Sequence, residues 1–174
     1  MLNPRMQEAF NKQINAELFS SYLYLSMAAY FESLNLKGMA NWMQIQSGEE
    51  HIHAMKFYDF INDRGSRVTL TQIETPKTEW KSALDAFEDA YKHELKITGM
   101  INDLMNLTVA EKDHAAHDFL EWFVKEQVEE ESAAQLIVEH LKLVGDSGVG
   151  LFMLDQQLGR RMSSPSAPTS AAAT

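Results

Sequence analysis

The 174-residue chain has no cysteine, and Lys and Arg number only 15 against 25 Asp and Glu. No apolar run approaches the roughly 20 residues that a membrane helix needs. Each shortage excludes something. Without cysteine there are no disulfides and no thiolate zinc sites, which leaves oxygen- and nitrogen-ligated metals open. The formal net charge of -10 argues against nucleic-acid binding, which needs a basic face, and favours cations instead. The start of the chain, Met1 to Glu8, has no basic segment followed by an apolar one. The expectation is a cytoplasmic protein with neither a membrane nor a nucleic acid as partner. Its length suits one domain with a core that needs no staples.

What is present is helical periodicity. Asn3-Pro4 is a good helix start, since Asn caps free N–H groups and Pro at the first position gives up a donor that would be unpaired anyway. The pattern predicts helices from there to about Asn35, from Gly38 to Asn62, from Thr78 to Thr108 and from Asp113 to Val144, with a short apolar helix from Ser147 to Leu158. The domain is read as residues 1–158. From Gly159 the sequence turns to Ser, Pro, Ala and Thr, so 159–174 is expected to be a disordered tail.

The segment from Ser66 to Lys77 is polar, aperiodic and contains Thr75-Pro76. Antiparallel neighbours in a bundle need only about 2 to 8 connecting residues. Twelve extended residues reach about 40 Å, the length of a helix of about 27 residues, so this segment can return the chain to the opposite end. The second and third helices then run parallel. The fold class expected is all-α, a four-helix bundle with one long crossover and a short fifth C-terminal helix.

Each long helix carries one stripe with steps alternating three and four. The first reads Phe10, Ile14, Glu17, Ser21, Tyr24, Ala28, Phe31, and the second Met39, Met43, Gln46, Glu50, His53, Phe57, Phe60. The third reads Leu84, Phe87, Tyr91, Glu94, Thr98, Ile101, Met105, and the fourth Leu120, Phe123, Gln127, Glu130, Ala134, Ile137, Leu141. A Glu interrupts every stripe near its middle, and no Lys or Arg lies on any of them. Alone, Glu17 would more readily be a boundary residue with a solvated head, and His53 a hydrogen-bonded core histidine. Together, Glu17, Glu50, Glu94 and Glu130 are four negative charges that two divalent ions would balance, with His53 three residues after Glu50 as a nitrogen ligand. Tyr24 is either simple core or a hydroxyl seeking a partner. His51 and His93 fall off the stripes and are expected to face outward.

With Glu17, Tyr24, Glu50-x-x-His53, Glu94 and Glu126-Gln127-x-x-Glu130, the chain resembles the bacterial non-haem ferritins from its N-terminus to about Leu158. The resemblance implies a ferritin-like bundle in which Glu17, Glu50 and His53 bind a first iron, with Glu50 bridging. Glu94 and Glu130 hold a second, Gln127 lies beside the oxygen-binding region, and Tyr24 stands near the centre. It also implies a third, weaker iron position at Glu49, Glu126 and Glu129 with Glu130 shared; the less favoured alternative is an acidic solvated run. Asp118 and Glu121 match the stretch that lines three-fold channels in a shell of 24 subunits. Val149, Leu151, Phe152, Leu154 and Leu158 resemble the fifth helix that meets its symmetry mates.

Departures narrow the relatives. Where haem-binding ferritins have a Met between the Glu and His ligands, this chain has Ile52, so no haem is expected. Glu130 is followed three residues later by Ala133 rather than His, which implies a looser second site. The implied activity is that of a ferroxidase. Fe(II) is oxidised by dioxygen or peroxide, and the product is stored as hydrated ferric oxide inside a hollow homo-oligomeric shell. Two rivals stand beside it: a di-iron oxidase or peroxide-scavenging bundle with another substrate, and a purely structural bundle whose polar layer sets register.

Overall fold

In a computed structural model, residues 1–162 are described, and they form five helices and no strand. These are α1 (Pro4–Ser33), α2 (Lys37–Asp63), α3 (Ala83–Glu111), α4 (His114–Val144) and α5 (Gly148–Leu158). The first begins as its sequence dictates: Asn3 accepts from the Met6 N–H at 2.8 Å, with Pro4 at the first helical position. It ends where Asn35 takes the left-handed conformation, φ 58°. The third helix starts five residues later than the spacing predicts, at Ala83 instead of Thr78. Ser82 supplies the cap to Asp85 N–H at 3.1 Å, and the Asp85 carboxylate in turn accepts from Lys81 N–H at 3.0 Å. This helix also runs on to Glu111, and Lys112 closes it at φ 53°.

The crossover lies along α1 as a ladder. Asn11 donates to the Arg67 carbonyl at 3.2 Å, Asn15 to Gln72 at 3.0 Å, Ser26 to Lys77 at 2.7 Å and Tyr30 to Trp80 at 3.0 Å. Rising residue numbers on both sides mean that the segment retraces α1 from start to end. It delivers the chain to the end where α2 began, so α2 and α3 run parallel as expected. The pairs α1 with α2 and α3 with α4 form hairpins, α1 meets α3, and α5 packs on α2 and α4. Asp113, which caps α4, also accepts both Arg64 guanidinium nitrogens, at 3.0 and 2.9 Å, and so fastens the end of α2 to the start of α4.

The apolar core is in two parts. One holds Met27, Phe31, Met39, Met43 and Phe87, with Leu154 and Leu158 of α5. The other holds Phe10, Ile14, Phe57, Ile61, Ile101, Leu120 and Phe123. A fully buried side chain of this size stabilises the fold by about 2 to 3 kcal/mol, and a polar layer separates the two halves. No helix among the described residues is long and apolar enough to cross a membrane.

Two contacts dock α5. Leu36, at the start of α2, offers no side-chain cap; the Met39 N–H is instead accepted by Asp155 of α5, 4% exposed, at 2.9 Å. Gly38 and Gly159 touch back to back, and a Cβ built on Gly38 would stand 1.7 Å from the Asp155 carbonyl oxygen. Backbone cannot give way as a flexible side chain can, so Gly38→Ala is expected to lower stability by about 2 kcal/mol or more. An unchanged denaturation midpoint would show that α5 does not sit here.

Candidate metal centre

The four stripe glutamates meet between the two halves of the core. Glu17 and Glu94 are each 1% exposed, Glu50 is 2% and Glu130 is 6%, with His53 at 4%. Ligand atoms of Glu17, Glu50 and His53 all lie within 4.8 Å of one another, as do those of His53, Glu126 and Glu130. Among the described residues no Lys or Arg forms an ion pair with any of the four carboxylates.

Neutral donors attend them instead. Gln13 donates to Glu17 Oε1 at 2.7 Å, and the Tyr24 hydroxyl donates to Glu94 Oε1. Gln46 Nε2 lies between two carboxylates, donating to Glu50 Oε1 at 3.1 Å and Glu130 Oε2 at 2.6 Å. Gln127 Nε2 lies 3.2 Å from Glu94 Oε2 and 3.2 Å from Thr98 Oγ1. His53 Nδ1 stands 3.2 Å from Glu50 Oε2. Among the described residues Glu17 Oε2 has no hydrogen-bond partner, although it is buried. A buried acceptor without a donor is costly, and a cation is the partner this donor set lacks.

Electrostatics agree. Loss of solvent, then the Glu50 charge, raises the Glu17 pKa to about 8, and loss of solvent, then Glu94, raises Glu130 to about 7. Burial followed by the charges of Glu94 and Glu130 pushes Glu50 well above the carboxylate range. Burial raises Glu94 too, against the hydrogen bonds from Tyr24 and Gln127. Tyr24 is itself pushed well above the usual phenol value, first by burial and then by Glu94. Burial thus raises all four carboxylates, so a cation entering this layer would compete there with protons.

The remaining residues singled out in the sequence are placed unevenly. Glu126 is half-buried beside His53, its pKa raised by burial, whereas Glu129 is exposed. Glu49 is not within the ligand clusters; it pairs with Arg161 Nη2 at 2.5 Å. Asp118 and Glu121 are exposed on α4, and His51 faces outward as expected.

His93 does not. It is 8% exposed, its Nε2 is 2.7 Å from Ser20 Oγ, and loss of solvent lowers its pKa to about 4. The buried face of α3 is broader than the expected stripe: it takes in Ala86, Ala90, His93 and Ile97, while Tyr91 and Thr98 of that stripe are only half-buried. Gln46 was visible in the sequence as a polar residue on its stripe. Gln13, off the stripe of α1, and Arg161, within the stretch read as a tail, gave no signal.

Comparison with known proteins accords with this geometry. The "Ferritin-like domain" family matches residues 7–144. The "Bacterial non-heme ferritin" of Bacteroides fragilis (strain 638R) is 44% identical over 161 residues, 92% of this chain and 100% of that protein. The Staphylococcus saprophyticus protein of the same name is 38% identical over 92% of this chain and 96% of its own length. Among solved structures, an open-pore ferritin from the hyperthermophilic archaeon Archaeoglobus fulgidus superposes with a TM-score of 0.92 at 50% identity, over 92% of this chain and 98% of that one. A form of the Archaeoglobus fulgidus ferritin engineered to be closed gives 0.93 at 49%, over 94% and 100%. With the family matched over residues 7–144 and these relatives matched along nearly the whole chain, the protein belongs to the ferritin family.

Proposed function

We propose that this chain is an iron-storage ferroxidase, which takes up Fe(II), oxidises it with dioxygen or peroxide, and keeps the product as hydrated ferric oxide in a shell of its own copies in the cytoplasm. The observation that carries the reading is the burial together of Glu17, Glu50, Glu94 and Glu130 with, among the described residues, no Lys or Arg paired to them and Glu17 Oε2 unpartnered. Two ferrous ions supply four positive charges. Glu17, Glu50 and His53 form one ligand cluster, Glu130 and Glu94 are the remaining carboxylates, and Glu50 would be shared between the two ions, as the family resemblance implies. Oxygen ligands stabilise ferric over ferrous iron, so the same carboxylates that bind the substrate favour its oxidation, and holding two ions side by side replaces an improbable three-body encounter. The apolar side chains of Tyr24, Phe123 and the two core halves limit bulk water.

His53, Glu126 and Glu130 form a second ligand cluster, and a third, outer iron would bind there if Glu49 and Glu129 turned towards it. Asp118 and Glu121 are available on the outside of α4 to line an entry channel. The shell, read as 24 subunits, is supported by apolar side chains that one bundle leaves in water: Val149 is 73% exposed, Phe152 63% and Met153 66%. Leu154 and Leu158, by contrast, are covered within the chain.

Metal-free protein mixed anaerobically with ferrous iron and then exposed to air should oxidise about two irons per chain quickly, then grow mineral without a change in particle size. Glu50→Gln should keep the shell and slow the fast phase at least about tenfold; oxidation no faster than in buffer for the unaltered chain would sink the ferroxidase reading. The raised carboxylate pKa values make a second, metal-free test. Native Glu17 and Glu130 bind protons more tightly than the unfolded chain, so their favourable contribution is complete below the usual carboxylate range and is lost as pH rises through about 7 and about 8. His93, lowered to about 4, acts only below its ordinary value near 6.5. The melting temperature of metal-free protein should therefore fall between about pH 6.5 and about pH 8.5, and saturating zinc should remove most of that fall. A flat profile would mean that the carboxylates are not buried together.

A further inference from the structure

Beyond α5 the chain turns back onto α2. The Asn41 side chain donates to the Arg161 carbonyl at 3.2 Å, and the guanidinium lies over the Trp42 ring, 4.4 Å from its centre. Its Nη1 donates to Gln46 Oε1 at 2.8 Å and reaches the Trp42 carbonyl at 3.4 Å, while Nη2 donates to Glu49 Oε2 at 2.5 Å. Arg161 and Glu49 side chains are only 23% and 17% exposed. Among the described residues no other Lys or Arg pairs with Glu49.

Arginine offers donors only. Gln46 must therefore turn its carbonyl oxygen towards Arg161 and its amide nitrogen towards Glu50 and Glu130, which is the orientation observed. A reversed amide would set its nitrogen against the guanidinium and its oxygen against two carboxylates. The single cation thus does two things: it fixes a donor between two inner carboxylates, and it neutralises a carboxylate next in sequence to one of them.

We infer that Arg161 is a displaceable positioning cation of the outer metal position. When no metal ion is bound beside His53, Glu126 and Glu130, the guanidinium occupies Glu49; a divalent cation recruits Glu49 only by taking it from Arg161. The competition weakens the outer position and keeps an ion there exchangeable. It also couples the two levels of the centre, because release of the guanidinium frees the Gln46 amide between Glu50 and Glu130. The inference rests on the proposed metal-binding reading of these residues.

Zinc, which is redox-inert, tests it by calorimetric titration of the assembled, metal-free full chain. Arg161→Ala and Arg161→Gln should each tighten the weakest zinc site about five- to tenfold and leave the number of tight sites unchanged. Arg161→Lys, which keeps a cation beside Glu49, should stay within about twofold of the unaltered protein. In a Glu49→Gln background, Arg161→Ala should leave the affinity of the weakest zinc site unchanged. Equal weak-site affinity with and without the guanidinium, or a tightening that persists without Glu49, would overturn the inference while the tight sites still support the metal-centre reading. An unaltered chain that binds no zinc at all would overturn both.

Discussion

Four carboxylates taken out of water at one level of a bundle set the terms for everything around them. An ionised carboxylate in such surroundings is costly unless paired, and among the described residues no Lys or Arg pairs with any of the four. Their hydrogen bonds come from Gln13, Tyr24, Gln46 and Gln127, and His53 Nδ1 stands 3.2 Å from Glu50 Oε2. Neutral donors fix where each oxygen points without cancelling its charge. A lysine in place of Gln46 would stabilise the metal-free layer more, and by doing so would remove the reason for a divalent ion to bind. The layer carries an electrostatic deficit that no Lys or Arg of the described residues meets.

That deficit has to be offset by the rest of the fold, and the two apolar halves supply the offset. Phe10, Phe57 and Phe123 on one side, Phe31, Met39 and Phe87 on the other, are essentially inaccessible to solvent. They hold the helices at fixed spacing whether or not the layer between them is satisfied. The crossover contributes in the same way. Because it retraces α1 through paired side chain to carbonyl bonds, it forces α3 to run parallel to α2 and brings Glu94 to the level of Glu50.

Local information was enough to find the layer because it is written as interruptions of a regular pattern. Glu17, Glu50, Glu94 and Glu130 each stand where a stripe calls for an apolar side chain, and all four are buried. The pattern failed where packing depends on partners distant in sequence. The start of α3 was misplaced because Thr78 to Lys81 carry no breaker of their own; what holds them out of the helix is the cap at Ser82 and the bond from Tyr30 to Trp80. His93 escapes the pattern because a stripe one residue wide cannot represent the broader buried face of α3, which also holds Ala86, Ala90 and Ile97. Asp155 capping α2, and Arg161 on Gln46, join residues more than a hundred positions apart. No periodicity encodes such a contact.

Those two long-range contacts are mechanically linked. Gly159, packed against Gly38, is fixed by the close approach of two backbones, and Arg161 follows it by two residues, a span of at most about 7 Å. The guanidinium can reach Gln46 and Glu49 only when α5 is seated on α2 with Asp155 over the start of that helix. Displacing α5 by one helical turn, about 5.4 Å, would use up most of that span and leave Gln46 without its acceptor-side partner. Any contact that holds α5 in place, including one made through its exposed Val149, Phe152 and Met153, therefore also holds the cation beside Glu49. The same helix thus serves the outside of the subunit and the polarity of an amide at its centre.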